Sequence, residues 1–144
     1  MEPQQEMVFR QYELMVNSSL QLTNWRQGAN NFFLAVNAAL LTIAAYLYSL
    51  SLLTGIIIGL MGVAIAVLWH STIVYFKALN KAKFSVIEEM EKQLPIPMFQ
   101  LEYSYFKKEN TKIATQIECG IPYLFGFAYF LIVALNALKI GKII

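Results

Sequence analysis

The sequence predicts an all-α membrane protein with three transmembrane helices. The second is extended into the cytoplasm, and an N-terminal amphipathic cytoplasmic helix precedes the first. Three observations predict this class. Hydrophobic residues make up 58% of the chain and charged residues only 14%, whereas soluble domains carry about 45–50% apolar and about 25% charged residues. No formal charge occurs between Arg26 and Lys77, a run long enough for two passes of about 20 residues each. A third apolar run, IPYLFGFAYFLIVALNAL, occupies 121–138 and is also long enough to span. None of these runs alternates in the manner of a barrel strand, and in lipid a helix satisfies its own backbone.

The elements follow in order within a single helical membrane domain, 1–144. At 4–25, Val8, Tyr12, Met15, Val16, Ser19 and Leu22 fall on one stripe, with Glu6, Arg10, Glu13 and Asn17 elsewhere, which predicts a water-facing amphipathic helix. The first span covers 31–49. A turn near Ser49–Thr54, in YSLSLLTG, leads to the second span at 53–76. No breaker separates that span from 77–94, where Leu79, Ala82, Val86 and Met90 repeat at about 3.5 residues. One continuous helix from about Thr54 to Gln93 is therefore expected, about 60 Å long at 1.5 Å per residue, and Pro95 and Pro97 end it. Residues 95–119 read as a cytoplasmic connector: MFQLEYSYFKKENT is loose, and TKIATQIEC is a short helix leading into the third span. Pro122 falls at the expected start of that span, where proline is tolerated.

Topology follows from the basic residues. Arg10 and Arg26 precede the first span, and Lys77, Lys81, Lys83, Lys92, Lys107, Lys108 and Lys112 lie between the second and third; only Lys139 and Lys142 fall on the other side. The excess marks the cytoplasmic face, with the N-terminus inside and the C-terminus outside. The N-terminus lacks the basic start and compact apolar core of a signal peptide. Trp25, Trp69, Tyr46, Tyr48, Tyr75 and Tyr123 read as belt residues at the membrane interfaces.

Polar residues inside the spans are the candidate functional groups. Arg26, Asn30, Phe33, Asn37, Leu41, Ala44 and Tyr48 share one face of the first span, and Ala35, Ala38, Thr42, Ala45 and Ser49 form a second face of small residues. The second span has its own small stripe, Gly55, Gly59, Gly62 and Ala66, running toward His70. Small side chains let helix backbones approach closely, so the first two spans are expected to pack as a close hairpin through these faces. Asn37 has two readings, a hydrogen bond across helices or a member of an amide ring lining a polar pathway. Arg26 reads as a snorkelling headgroup anchor, or as an ion-pair partner of Glu118 at matching depth. His70, the sole histidine, reads as an interhelical hydrogen bonder or as a pH-sensitive lumen residue.

Catalytic chemistry is not indicated. No phosphate-binding glycine loop is present, and no base is placed to activate Cys119 or a serine. No ligand cluster suits a metal, and nothing points to a cofactor. Glu88, Glu89 and Glu91 read as a solvated helix face. The net charge of +2 gives no reason to expect nucleic-acid binding, although the lysine-rich segment could attract anionic lipids.

Two blocks, RQGANNFFLAVNAALL and LNKAKFSVIEEMEKQLPIP, resemble the RipA family of small bacterial integral membrane proteins, also called the octameric membrane protein family. The residues carrying the resemblance are Arg26, Ala29, Asn30, Phe32, Phe33, Leu34, Asn37, Ala39, Leu40 and Leu41 in the first block. In the second they are Leu79, Asn80, Lys83, Phe84, Val86, Ile87, Glu91, Leu94 and Pro95. TQIECGIPYLF adds Thr115, Ile117, Glu118 and Pro122. The resemblance implies a homo-oligomeric ring in the bacterial inner membrane with no catalytic residues, in which the arginine and amide stripe becomes a subunit-contact or ring-lining face. The expected partners are further copies of the chain and membrane lipids. The expected role is a structural or scaffolding assembly; the alternative is a channel or pore lined by Asn30, Asn37 and His70.

Overall fold

In a computed structural model, residues 3–47, 51–108 and 113–141 are described. They form four helices, α1 (Pro3–Leu47), α2 (Leu52–Glu91), α3 (Met98–Lys108) and α4 (Ile113–Ile140), with no strand among the described residues. Three helices are long and apolar enough to cross a membrane, and they carry the three predicted spans. Of the predicted turn, Ser49 and Leu50 lie outside the described residues, as do Tyr48, Lys112 and Lys142.

The N-terminal helix and the first span are one helix rather than two. Between Thr23 and Asn31 the chain has no proline. Its single glycine, Gly28, costs about 1 kcal/mol relative to alanine, too little to interrupt a helix that continues on both sides. α2 runs unbroken for 40 residues, as its lack of breakers predicts. Two differences follow Pro95. The stretch read as a loose connector is helical over Met98–Lys108, and α4 begins at Ile113, so that Pro122 lies inside it rather than at its start. Proline is tolerated inside a spanning helix where neighbouring structure satisfies the freed backbone groups, and Pro122 is buried.

The helices divide into two compact units, one of Met1–Gln27 with Val74–Ala114 and the other of Gly28–Ile73 with Thr115–Ile144. The first unit has a core of Tyr12, Ser19 and Leu22 from α1 with Ile87 and Glu91 from α2. The α1 stripe matches the predicted one. On α2 the buried row is instead displaced by one residue: Ile87 and Glu91 are buried while Ala82 and Val86 are exposed. The displaced row looks unsuitable in sequence because it includes Asn80, Lys83 and Glu91. Its charged members have partners inside the unit, since the Lys83 ammonium donates to Ser18 and Glu91 accepts from Tyr12.

The second unit holds the apolar segments. α2 is its best-covered span, with 33% of its most apolar window buried against 11% and 17% for the other two. Its buried residues include Ile58, Ala66, Trp69 and Ile73 from α2, Asn37 and Ala44 from α1, and Tyr129 and Asn136 from α4.

Candidate functional site

The row of small residues on α2 sets the geometry of the spanning bundle. A Cβ on Gly55 would lie 2.8 Å from Asn136 Nδ2, and one on Gly59 would lie 2.5 Å from Val133 Cγ2 and 3.2 Å from the Tyr129 carbonyl. On Gly62 it would collide with the Tyr129 ring. Ala66 continues the row, 3.6 Å from where a Gly126 Cβ would stand. The glycines therefore admit α4, not α1, and this corrects the predicted hairpin. The small face of α1 at Ala35, Ala38, Thr42 and Ala45 is exposed. The reason is the shape of α4, which presents Tyr129 and Asn136, two bulky side chains that need recesses. The recesses at Gly55 and Gly62 are occupied by these two side chains.

α1 meets α2 through a polar relay. Trp69 Nε1 donates to Asn30 Oδ1 at 3.0 Å, and Asn30 Nδ2 donates to Glu118 Oε1 at 2.5 Å. The Trp69 ring stacks on Phe33 with centroids 6.0 Å apart and planes within 9°, and it also touches Phe125. Trp69 is only 2% exposed, so it is a packed connector rather than the belt residue expected. Asn30 thus ties all three spanning helices together. Arg26 is half-buried on α1, in the other unit.

Asn37 is fully buried, but its side chain does not make the bond across helices that was the first of its two readings. Its Nδ2 donates to the Phe33 carbonyl one turn earlier, at 2.8 Å, a local bond that short polar side chains form readily within helices. The cross-helix bond goes to its backbone, where the Tyr129 hydroxyl donates to the Asn37 carbonyl at 3.0 Å. Asn136 on α4 behaves in the same way, donating to the Ile132 carbonyl at 2.7 Å. In both amides Oδ1 is buried without a protein partner. Tyr129 and Asn136 were missed at the sequence level. The visible signal was a tyrosine and an asparagine in the middle of the third apolar run.

His70 is half-buried on α2, and its Nε2 lies 3.2 Å from the Tyr123 hydroxyl on α4. This places His70 as an interhelical hydrogen bonder, the first of its two readings. Beside the pair, a groove of about 370 Å³ runs between α2 and α4.

In the first unit the residue that sequence reasoning missed is Glu91. It is 1% exposed, not solvated like Glu88 and Glu89. Its Oε1 accepts from the Phe99 amide at 2.8 Å and the Tyr12 hydroxyl at 3.1 Å, and Oε2 accepts from the Gln100 amide at 3.2 Å. Those amides open α3, whose N-terminus has orphan donors and a dipole that favours an anion. Glu91 therefore caps α3 from another helix, and Phe99 packs on Tyr12 and Phe84. Burial, then the bond to the Glu91 carboxylate and its charge, push the Tyr12 hydroxyl up to about 12. No cluster of three metal-binding side chains occurs among the described residues.

A family model described as the octameric membrane protein family (8xMP) matches residues 9–138, from the second turn of α1 to the last turn of α4. The chain belongs to the octameric membrane protein family. No curated protein and no solved structure matches it. Family membership together with three apolar helices makes this a multi-pass membrane protein. In this member of the octameric membrane protein family, the matched region contains both the Asn30 relay and the Glu91 cap.

Proposed function

We propose that this protein is a non-enzymatic structural assembly: a homo-oligomeric ring of the bacterial inner membrane, with its N-terminus in the cytoplasm. The family description supports an octamer, and the excess of basic residues before the first span and between the second and third favours a cytoplasmic N-terminus. The observation that carries the structural reading is where the intramembrane amides go. Asn37 and Asn136 are 0% and 1% exposed, and Asn30 is engaged by both Trp69 and Glu118. Polar groups that line a water path face that path, whereas Asn37 and Asn136 bond back to their own helices and Asn30 joins the three spanning helices of one protomer. A pore lined by Asn30, Asn37 and His70 would require the two amides to turn outward. Arg26 serves in this reading as an interfacial anchor.

The test is ion and small-solute flux through proteoliposomes containing the purified oligomer, with its subunit number measured by native mass spectrometry. The structural reading expects a defined oligomer, eight subunits by the family description, and no flux above protein-free vesicles. Flux through that oligomer that changes with Asn37→Leu would establish the pore instead.

A further inference from the structure

The groove between α2 and α4 is lined by Val63, Ala66 and Val67 from α2 and by Gly126, Phe127 and Phe130 from α4, with His70 and Tyr123 at one end. Its floor exists because Ala66 and Gly126 let the two helices meet closely. Val63 to His70 is two helical turns, so the groove runs about 10 Å along the helices. Its walls are apolar and it lies within two of the spanning segments.

The polar end has a defined donor. His70 Nδ1 is buried without a protein partner. A buried N–H without an acceptor is rarer and costlier than a bare acceptor atom, which favours the tautomer with the ring proton on Nε2. Nε2–H then donates to the Tyr123 oxygen across the 3.2 Å contact, and the Tyr123 O–H remains to donate outward. Tyr123 is 63% exposed, so an external acceptor can reach it. The depth is also defined. Glu118 lies five residues before Tyr123 on α4, and Lys77 lies seven residues after His70 on α2. Each charge is about 8–10 Å along its helix from the pair. With charges at headgroup level, the pair sits near the edge of the hydrocarbon, where the ester carbonyls of phospholipids lie, since the polar layer is only several ångströms thick on each side.

We propose that this groove is a phospholipid site: one acyl chain lies against Ala66 and Gly126 between Val67 and Phe127, and its ester carbonyl accepts a hydrogen bond from Tyr123, held in place by His70. A second copy of the chain is the competing occupant, and the test separates the two.

The experiment places a photoreactive benzophenone side chain at Phe127 in the full-length protein. The protein is reconstituted in vesicles of phosphatidylethanolamine and phosphatidylglycerol, and adducts are read by intact mass. Leu135, also exposed on α4 but outside the groove, is the control position. Lipid adducts at Phe127 are expected to exceed those at Leu135 several-fold, and to fall to the control level when Gly126→Leu fills the groove. Val67→Trp obstructs the same groove from its exposed rim and serves if Gly126→Leu does not fold. Tyr123→Phe, or ether-linked lipids without ester carbonyls, should each lower the yield about threefold, the worth of one hydrogen bond of modest strength. Equal yields at Phe127 and Leu135, or no effect of either obstruction, would overturn the proposal. So would protein–protein adducts at twice the 16.4 kDa chain mass in place of lipid adducts. These readouts do not depend on subunit number or flux, so the lipid site and the structural assembly can fail separately.

Discussion

The two units of this protein bury polar groups in opposite ways. The unit built from Met1–Gln27 and Val74–Ala114 buries a carboxylate, Glu91, and supplies it with two backbone amides and a hydroxyl. The spanning unit fully buries neutral amides, Asn37 and Asn136, and lets each bond to its own helix. The difference lies in what each group must hold. A helix start such as that of α3 has unmatched N–H groups, and an anion satisfies several at once. The buried amides of the spanning unit cap no helix end: each bonds to its own helix and leaves its Oδ1 without a protein partner, while close packing and the Asn30 relay join the helices. In the first unit a buried carboxyl group organises a helix start; in the second, the missing side chains of the glycine row set how closely α2 and α4 approach.

The largest expected effect tests the second half of that contrast. Gly62→Leu drives a side chain into the Tyr129 ring and should destabilise the purified protein by about 3 kcal/mol or more, the upper range for overpacking, as measured by denaturant titration in detergent. Gly28→Leu, with nothing within 4 Å of its Cβ, should be neutral or slightly stabilising. Equal losses at both positions would remove the special status of the α2 glycine row.

Glu91→Ala tests the first half. It strands two amides and a buried hydroxyl, and should cost about 2–3 kcal/mol. Hydrogen exchange should show protection lost at Phe99 and Gln100 while α2 and α4 near Tyr129 keep theirs. Loss of protection in the spans to the same extent would mean that the units do not open independently.

A smaller effect is pH-dependent. The Tyr12 hydroxyl has a folded pKa of about 12 against its ordinary 10.0. A group raised on folding contributes stability that is fully present below its unfolded pKa and is lost as pH rises through the folded one. Stability should therefore decline between about pH 10 and 12, and Tyr12→Phe should flatten that decline. Ultraviolet difference titration against the Tyr12→Phe variant should show one tyrosine ionising late.

The smallest effect is expected at Asn37. Its side chain bonds only its own helix, and its Oδ1 has no protein partner, so Asn37→Leu should change stability by less than about 1 kcal/mol, because an apolar residue of similar shape replaces a poorly satisfied amide. A loss of several kcal/mol would show that Asn37 binds something beyond its own helix.

Most of the helical architecture was legible in the sequence because apolar run length and the absence of breakers decide it locally. α2 illustrates this, since nothing between Leu52 and Glu91 could end a helix. The α1 stripe from Val8 to Leu22 was legible for the same reason. α3 was not, because no capping residue stands next to Met98. The acceptor is Glu91, which the fold brings to that helix end and which hydropathy places on the solvated side. The packing partner of the glycine row was illegible too. A small-residue face states that something comes close, but the choice between α1 and α4 depends on which helix carries side chains that fill the recesses. Tyr129 and Asn136 decide it, and they lie more than sixty residues beyond Gly62.

That separation along the chain bears on how the protein is made. Helices enter a membrane in the order of synthesis, so α2 is in place well before Tyr129 and Asn136 exist. Until the last helix arrives, the recesses at Gly55, Gly59 and Gly62 are open to whatever the bilayer or a neighbouring protein offers. Biogenesis therefore includes an interval in which a two-helix intermediate carries an unfilled seam, which closes only when α4 arrives.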